Sequence, residues 1–206
     1  MSLYAVPARQ DNRNSPKYLE AVQHIKRMRG GSQAHLMRAS DRSYQVVKFQ
    51  NNAQHVRVLA NEYLGSRLGL KLGLPMPQVD IIEVGEWLIQ NTADLRIESA
   101  GCVKLCSSGL QLASRYAADV EKAWAFDHLP ESMFPKVRNR SDFGRCVVFD
   151  KWTGNADGRQ AVFSKSPKGV YYGATFVESG KRASLLALSP LRTGHESFPS
   201  SGSSRG

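Results

Sequence analysis

Residues 44–49 read Tyr-Gln-Val-Val-Lys-Phe, an alternation that predicts a strand and sets Lys48 on the face of Tyr44 and Val46. Two blurred strands are expected before it, at 19–28 and 33–39, turning at Arg29-Gly30-Gly31-Ser32. The period then changes. Val56, Leu59, Ala60, Tyr63, Leu64 and Leu68 recur at helical spacing and predict a helix over 53–68, with Glu62 at the edge of the stripe and Gly69 placed to end it. After Pro75-Met76-Pro77, strands are expected at 78–84 and 87–90, joined as a hairpin at Gly85-Glu86. Together these segments predict a five-stranded antiparallel sheet with one helix.

Beyond Gly109, apolar residues at Leu110, Leu112, Ala113, Tyr116, Ala117, Val120, Ala123 and Trp124 predict a second helix, and Pro130 and Pro135 break the segment after it. The stretch 147–163, VVFDKWTGNADGRQAVF, reads as the end of an apolar run, a short polar loop with Asp150 and Asn155, and a strand. A further strand at 169–177 should pair with that one through Ser164-Lys165-Ser166-Pro167-Lys168 and carry Glu178 back towards the loop. The expected organisation is α+β: a flexible arm over 1–18, a sheet-and-helix lobe over 19–92, an incomplete and mainly helical lobe over 93–180, and a tail over 181–206. Ser, Gly, Arg and Pro dominate the tail and only SLLAL could pack, so disorder is expected there.

Composition narrows the function classes. With 41% apolar and 22% charged residues among 206, the chain can bury a core, which excludes disorder throughout. A net charge of +10 favours phosphate-bearing partners without choosing among nucleotide, nucleic acid and anionic membrane. The basic residues are spread along the chain and no nucleic-acid motif accompanies them, so a solvated surface accounts for them better. Neither a secretory signal nor a stretch long enough to span a bilayer is visible, and a cytoplasmic protein is expected. Cys102, Cys106 and Cys146 read as buried thiols of a reducing compartment rather than a disulfide framework.

The candidate chemistry lies in four places. Asp150 and Asn155 stand five residues apart, a spacing that phosphoryl transfer uses, although both residue types also form turns. Gly30 and Gly31 could bring bare amides to an anion or simply make a hairpin turn. Lys48 could run its stem along apolar neighbours to water or be held inside by an acid, and Glu62 could be that acid or a solvated flank residue. Strand lysine, short connection and helix glutamate form the order in which kinases build the ion pair that orients nucleotide phosphates.

On these residues the chain resembles the HipA-like kinases, in particular the compact bacterial HipA-like kinase-domain proteins, from about residue 21 to 180. The segments that carry the resemblance are GGSQAHLM, YQVVKF, ANEYLGSRLGL, FDKWTGNADGRQAVF and YGATFVESG. It implies a protein-kinase-like fold, ATP and Mg²⁺ as cofactors, and a protein or small-molecule hydroxyl as phosphoacceptor. It further implies Gly30, Gly31 and Ser32 over the phosphates, Lys48 paired with Glu62, Asp150 as catalytic aspartate, and Asn155 and Glu178 as metal ligands. Asp157 and Arg159 come next in the motif, with structural hydrogen bonding as their expected part. Two departures accompany the resemblance. Glu178 stands where the family carries aspartate, and unless the backbone compensates its extra methylene displaces the carboxylate by roughly an ångström or more, a misplacement to which catalysis is sensitive. The family also continues with C-lobe helices where this chain has residues 181–206, as expected for a truncated or frame-shifted reading of a longer gene.

Overall fold

The computed structural model describes residues 18–28, 32–52, 56–99, 101–118, 123–155 and 159–178. Gly30, Gly31, Asp157, the tail 181–206 and nearly all of the expected N-terminal arm lie outside the described residues. In chain order the first elements are β1 (Leu19–Arg27), β2 (His35–Ala39), β3 (Tyr44–Lys48), α1 (Val56–Lys71), β4 (Val79–Val84) and α2 (Glu86–Gln90). They are followed by β5 (Arg96–Ser99), β6 (Cys102–Leu105), β7 (Gly109–Arg115), β8 (Trp124–Phe126), a 3-10 helix (Glu131–Lys136), α3 (Ser141–Thr153), β9 (Arg159–Lys165) and β10 (Gly173–Glu178).

The expected five-stranded antiparallel sheet is instead a closed barrel of mixed direction. Its order is β1-β2-β3-β7-β4, and β4 returns to β1 in parallel, with Leu19 opposite Ile82 and Glu20 opposite Glu83. The reason lies in β7, which occupies the segment whose pattern predicts a helix. It inserts between β3 and β4 and bonds to both, so its run of Gln111, Leu112 and Ala113 is buried. A short, mostly apolar run suits a central strand as well as a helix, and periodicity alone does not separate them. Register shifts in β1 between Ala21 and Gln23, and between His24 and Lys26, curl that strand and help the sheet close.

The hairpin expected at Gly85-Glu86 is also replaced. Gly85 has φ −67° and ψ 146°, not the positive φ that a two-residue hairpin turn requires, and it precedes the short helix α2. Within α2, Gln90 donates to Glu86 at 2.9 Å, while Ile89 enters the barrel core beside Val84, Leu95 and Ile97. The chain then makes the β5–β6 hairpin and returns as β7, so the barrel draws a strand from beyond residue 92.

A histidine sits in that apolar interior, with half-buried His24 beside it. His35 is fully buried, edge-on to Phe49, and its Nδ1 lies 3.1 Å from Nε2 of His24. Burial is the main cause that lowers its pKa to about 4, with His24 and Arg27 adding to the effect and Asp94 opposing it. A histidine depressed in the folded state binds its proton more tightly when unfolded. Its contribution to stability is therefore complete above about pH 6.5 and is lost as pH falls towards 4. Urea unfolding at stepped pH should show a decline over this window that is shallower in His35→Gln.

The expected mainly helical second lobe is, among the described residues, a three-stranded sheet of order β10-β9-β8 with α3 and the 3-10 helix against it. Aromatic packing explains this arrangement. Phe143 lies 4.8 Å from the ring of Phe176 and 5.2 Å from that of Phe134, and Phe149 and Phe163 join the same cluster. Leu74 and Met76 enter this core too, and Phe176 N–H donates to the Pro75 carbonyl at 2.8 Å. The end of α1 and the Pro75–Pro77 segment thus form the seam between barrel and sheet. Of the three cysteines, Cys106 and Cys146 are buried and pushed up to about 12 by burial, whereas Cys102 is exposed, contrary to expectation. No described helix is long and apolar enough to cross a membrane.

Candidate functional site

Lys48 ends β3 under α1, and of its two possible placements the inward one holds. It is 7% exposed and Glu62 is 5% exposed, with Nζ donating to Oε2 at 2.5 Å. The inward stripe of α1 is Leu59, Glu62, Ser66 and Gly69, a row of mostly small or polar residues. Leu64, read from sequence as part of the apolar stripe, is 65% exposed. The helix runs to Lys71, past Gly69, and Gly73 in the left-handed region at φ 70° comes after it. Two charges held out of water need each other, because a buried ion left alone costs several kcal/mol.

Asp150 stands in the last turn of α3 rather than on a loop. The run Cys-Val-Val-Phe before it is helical, with Cys146 and Phe149 buried and Val147 and Val148 exposed. Gly154, at φ 67° and ψ 23°, ends the helix in the left-handed region and folds Asn155 back on it. Asn155 N–H then donates to the Asp150 carbonyl at 2.9 Å, and its Nδ2 donates to Asp150 Oδ1 at 3.1 Å. Gly154→Ala should cost about 1–2 kcal/mol in urea unfolding, since a Cβ is strained in this conformation.

The expected return of the chain through a hairpin also occurs. β9 and β10 pair antiparallel, and Glu178 falls opposite Arg159. Arg159 is only 2% exposed; its Nε donates to Asp150 Oδ1 at 2.8 Å, and its guanidinium lies 5.3 Å from the centre of the Phe149 ring. The Glu178 carboxyl is pushed up to about 7, chiefly by burial and then by Glu62, with Arg159 and Lys48 pulling it down and Asp150 raising it. Two bonded groups result, Lys48 with Glu62 and Asp150 with Asn155 and Arg159, and Glu178, the strand partner of Arg159, feels charges from both.

Ser32 is buried, but no described hydrogen bond or ion pair joins it to either group. Gly30 and Gly31, expected beside it, lie outside the described residues. Sequence reasoning missed a clamp that joins Arg27, Gln33 and Glu98. Gln33, with φ 46°, accepts from Arg27 Nη2 and from Glu98 N–H, each at 2.8 Å, and donates to the Glu98 carbonyl at 2.6 Å. Arg27 also bonds Glu98 at 2.9 Å, so Glu98 of β5 ties Arg27 and Gln33 together. Partners 65 residues apart leave no local signal in the sequence.

Glu62, Asp150 and Glu178 with Lys48 and Arg159 make three carboxyl groups and two cations, so one carboxyl is left over among the described residues. Among the described residues no three His, Cys, Asp or Glu are arranged to hold a metal by themselves. A nucleotide-bound Mg²⁺ asks for less, taking one or two protein oxygens and completing its shell with phosphate and water. The donor set of Glu178 and Asn155 fits that requirement. A separate groove of about 530 Å³ lies along the outer face of α3 between Leu72, Leu74, Val148 and Trp152. It is apolar and holds none of the five residues.

A family model described as HipA-like kinase matches residues 21–167, well over half of the chain. No curated protein and no solved structure matches it.

Proposed function

Because the chain belongs to the HipA-like kinase family, we propose that it binds ATP with Mg²⁺ at the seam between barrel and sheet and transfers the γ-phosphoryl group to a hydroxyl acceptor, in the cytoplasm. The buried Lys48–Glu62 pair carries this reading. Glu62 fixes the ammonium of Lys48 where phosphate oxygens would meet it, and the turn of Gly30, Gly31 and Ser32 would cover them. Asn155 and Glu178 would hold Mg²⁺, which when bound supplies charge neutralisation on the phosphates. Asp150 would align the acceptor hydroxyl and take its proton as the new P–O bond forms and the bond to the β-phosphate breaks. Positioning and neutralised charge supply most of such catalysis. The test is a melting curve: Mg·ATP should raise the melting temperature of the full chain and leave Lys48→Ala unmoved. An unshifted wild type would overturn the proposal.

A second reading, nucleotide binding without transfer, draws on Asp150 itself. The residue is 7% exposed and its Oδ1 already accepts from Arg159 and Asn155, which suits a structural part better than contact with an acceptor. A Mg·ATP shift with no ADP formed, and none after Glu178→Asp, would select it.

A further inference from the structure

Arg159 touches three elements at once. Its Nε holds Asp150 at the end of α3, and its strand partner is Glu178 on β10. On the α1 side, a Cβ added at Gly65 would stand 3.6 Å from Nη2, so the guanidinium lies against the helix one turn beyond Glu62. The guanidinium is planar and rigid, so a shift on one side is carried to the others. Its Nη1 is buried and has no hydrogen-bond partner among the described residues. An unsatisfied buried donor is destabilising, more so on a charged group, which is a poor trade for a residue whose only task is stability.

We propose that Arg159 is a positioning residue that couples α1 to the Asp150–Asn155 turn, so that the Lys48–Glu62 pair and the turn take up their working geometry together. The coupling itself needs no nucleotide. Its consequence for Mg·ATP rests on the kinase reading above.

The experiment approaches the guanidinium from both sides in the full chain, with Arg159→Lys and Arg159→Met on one side and Gly65→Leu on the other. Gly65→Ala is the control, because its methyl would make only ordinary contact. Without ligand, amide hydrogen exchange is read at Gly154 and Asn155, whose N–H groups bond back to the end of α3. Both should exchange about tenfold faster in Arg159→Lys, Arg159→Met and Gly65→Leu, with β2 and β3 unchanged and the control like wild type. If Arg159→Met does not fold, Gly65→Leu decides, since it keeps the Asp150 ion pair. Wild-type rates at the turn in Gly65→Leu, or uniform acceleration that includes the barrel, would overturn the proposal.

With nucleotide, Arg159→Lys should lose about tenfold or more of the Mg²⁺-dependent part of ATP affinity while Mg²⁺-free ATP binding stays near wild type. Equal loss with and without Mg²⁺ would contradict the positioning role. A wild type that binds no Mg·ATP ends the kinase reading, and the exchange rates still decide the coupling.

Discussion

Lys48→Met is expected to lower the unfolding free energy by about 3–5 kcal/mol, because it leaves the Glu62 carboxylate buried without its cation. The double variant Lys48→Met with Glu62→Leu should recover most of that loss, since it removes both charges and fills the space under α1 with apolar atoms. Urea unfolding of the two variants measures the difference. An exposed pair would behave otherwise, with a single substitution costing about 1 kcal/mol or less and nothing for the second to recover. The comparison therefore reads the burial of the pair directly. It also yields a folded protein without Lys48, in which loss of nucleotide binding is not loss of structure.

Asp150→Ala is expected to be about as costly, about 3–5 kcal/mol, because Arg159 then stays buried with its Nε unpaired. Asp150→Asn should cost less, since an amide oxygen can still accept from Nε and from Asn155. The two variants separate structure from chemistry. If Asp150 takes the acceptor proton, Asp150→Asn should lower the phosphoryl-transfer rate by about 10²-fold or more while nucleotide affinity stays near wild type. Urea unfolding and ADP formation, both measured where the variants are folded, check the two halves. An Asp150→Ala variant as stable as wild type would contradict the buried network.

How much of the molecule is legible in its sequence depends on how local each signal is. The alternation of Tyr44–Lys48 and the helical period after Val56 concern neighbours in sequence, so strand, helix and the Lys48–Glu62 pair are all legible. The β9–β10 hairpin is legible from its turn, and with it the delivery of Glu178. The spacing of Asp150 and Asn155 is visible, but their setting is not, because the apolar run before Asp150 suits a strand or a helix equally. β7 misleads for the same reason, and its neighbours in the barrel are set by pairing over long sequence separations. Gly85 looks like a hairpin residue, yet its extended conformation serves the start of α2. Arg159 stands in the motif, but nothing local reveals that it is buried between three elements.

The central claim is that these charged side chains form a site for a magnesium nucleotide. Calorimetric titration of Mg·ATP tests it most directly, into wild type and into the Lys48→Met, Glu62→Leu double variant, with urea unfolding confirming that both are folded. The account predicts saturable binding to wild type that falls by about 10²-fold or more in the variant. Equal affinity in the two proteins, or no binding to folded wild type, would contradict it.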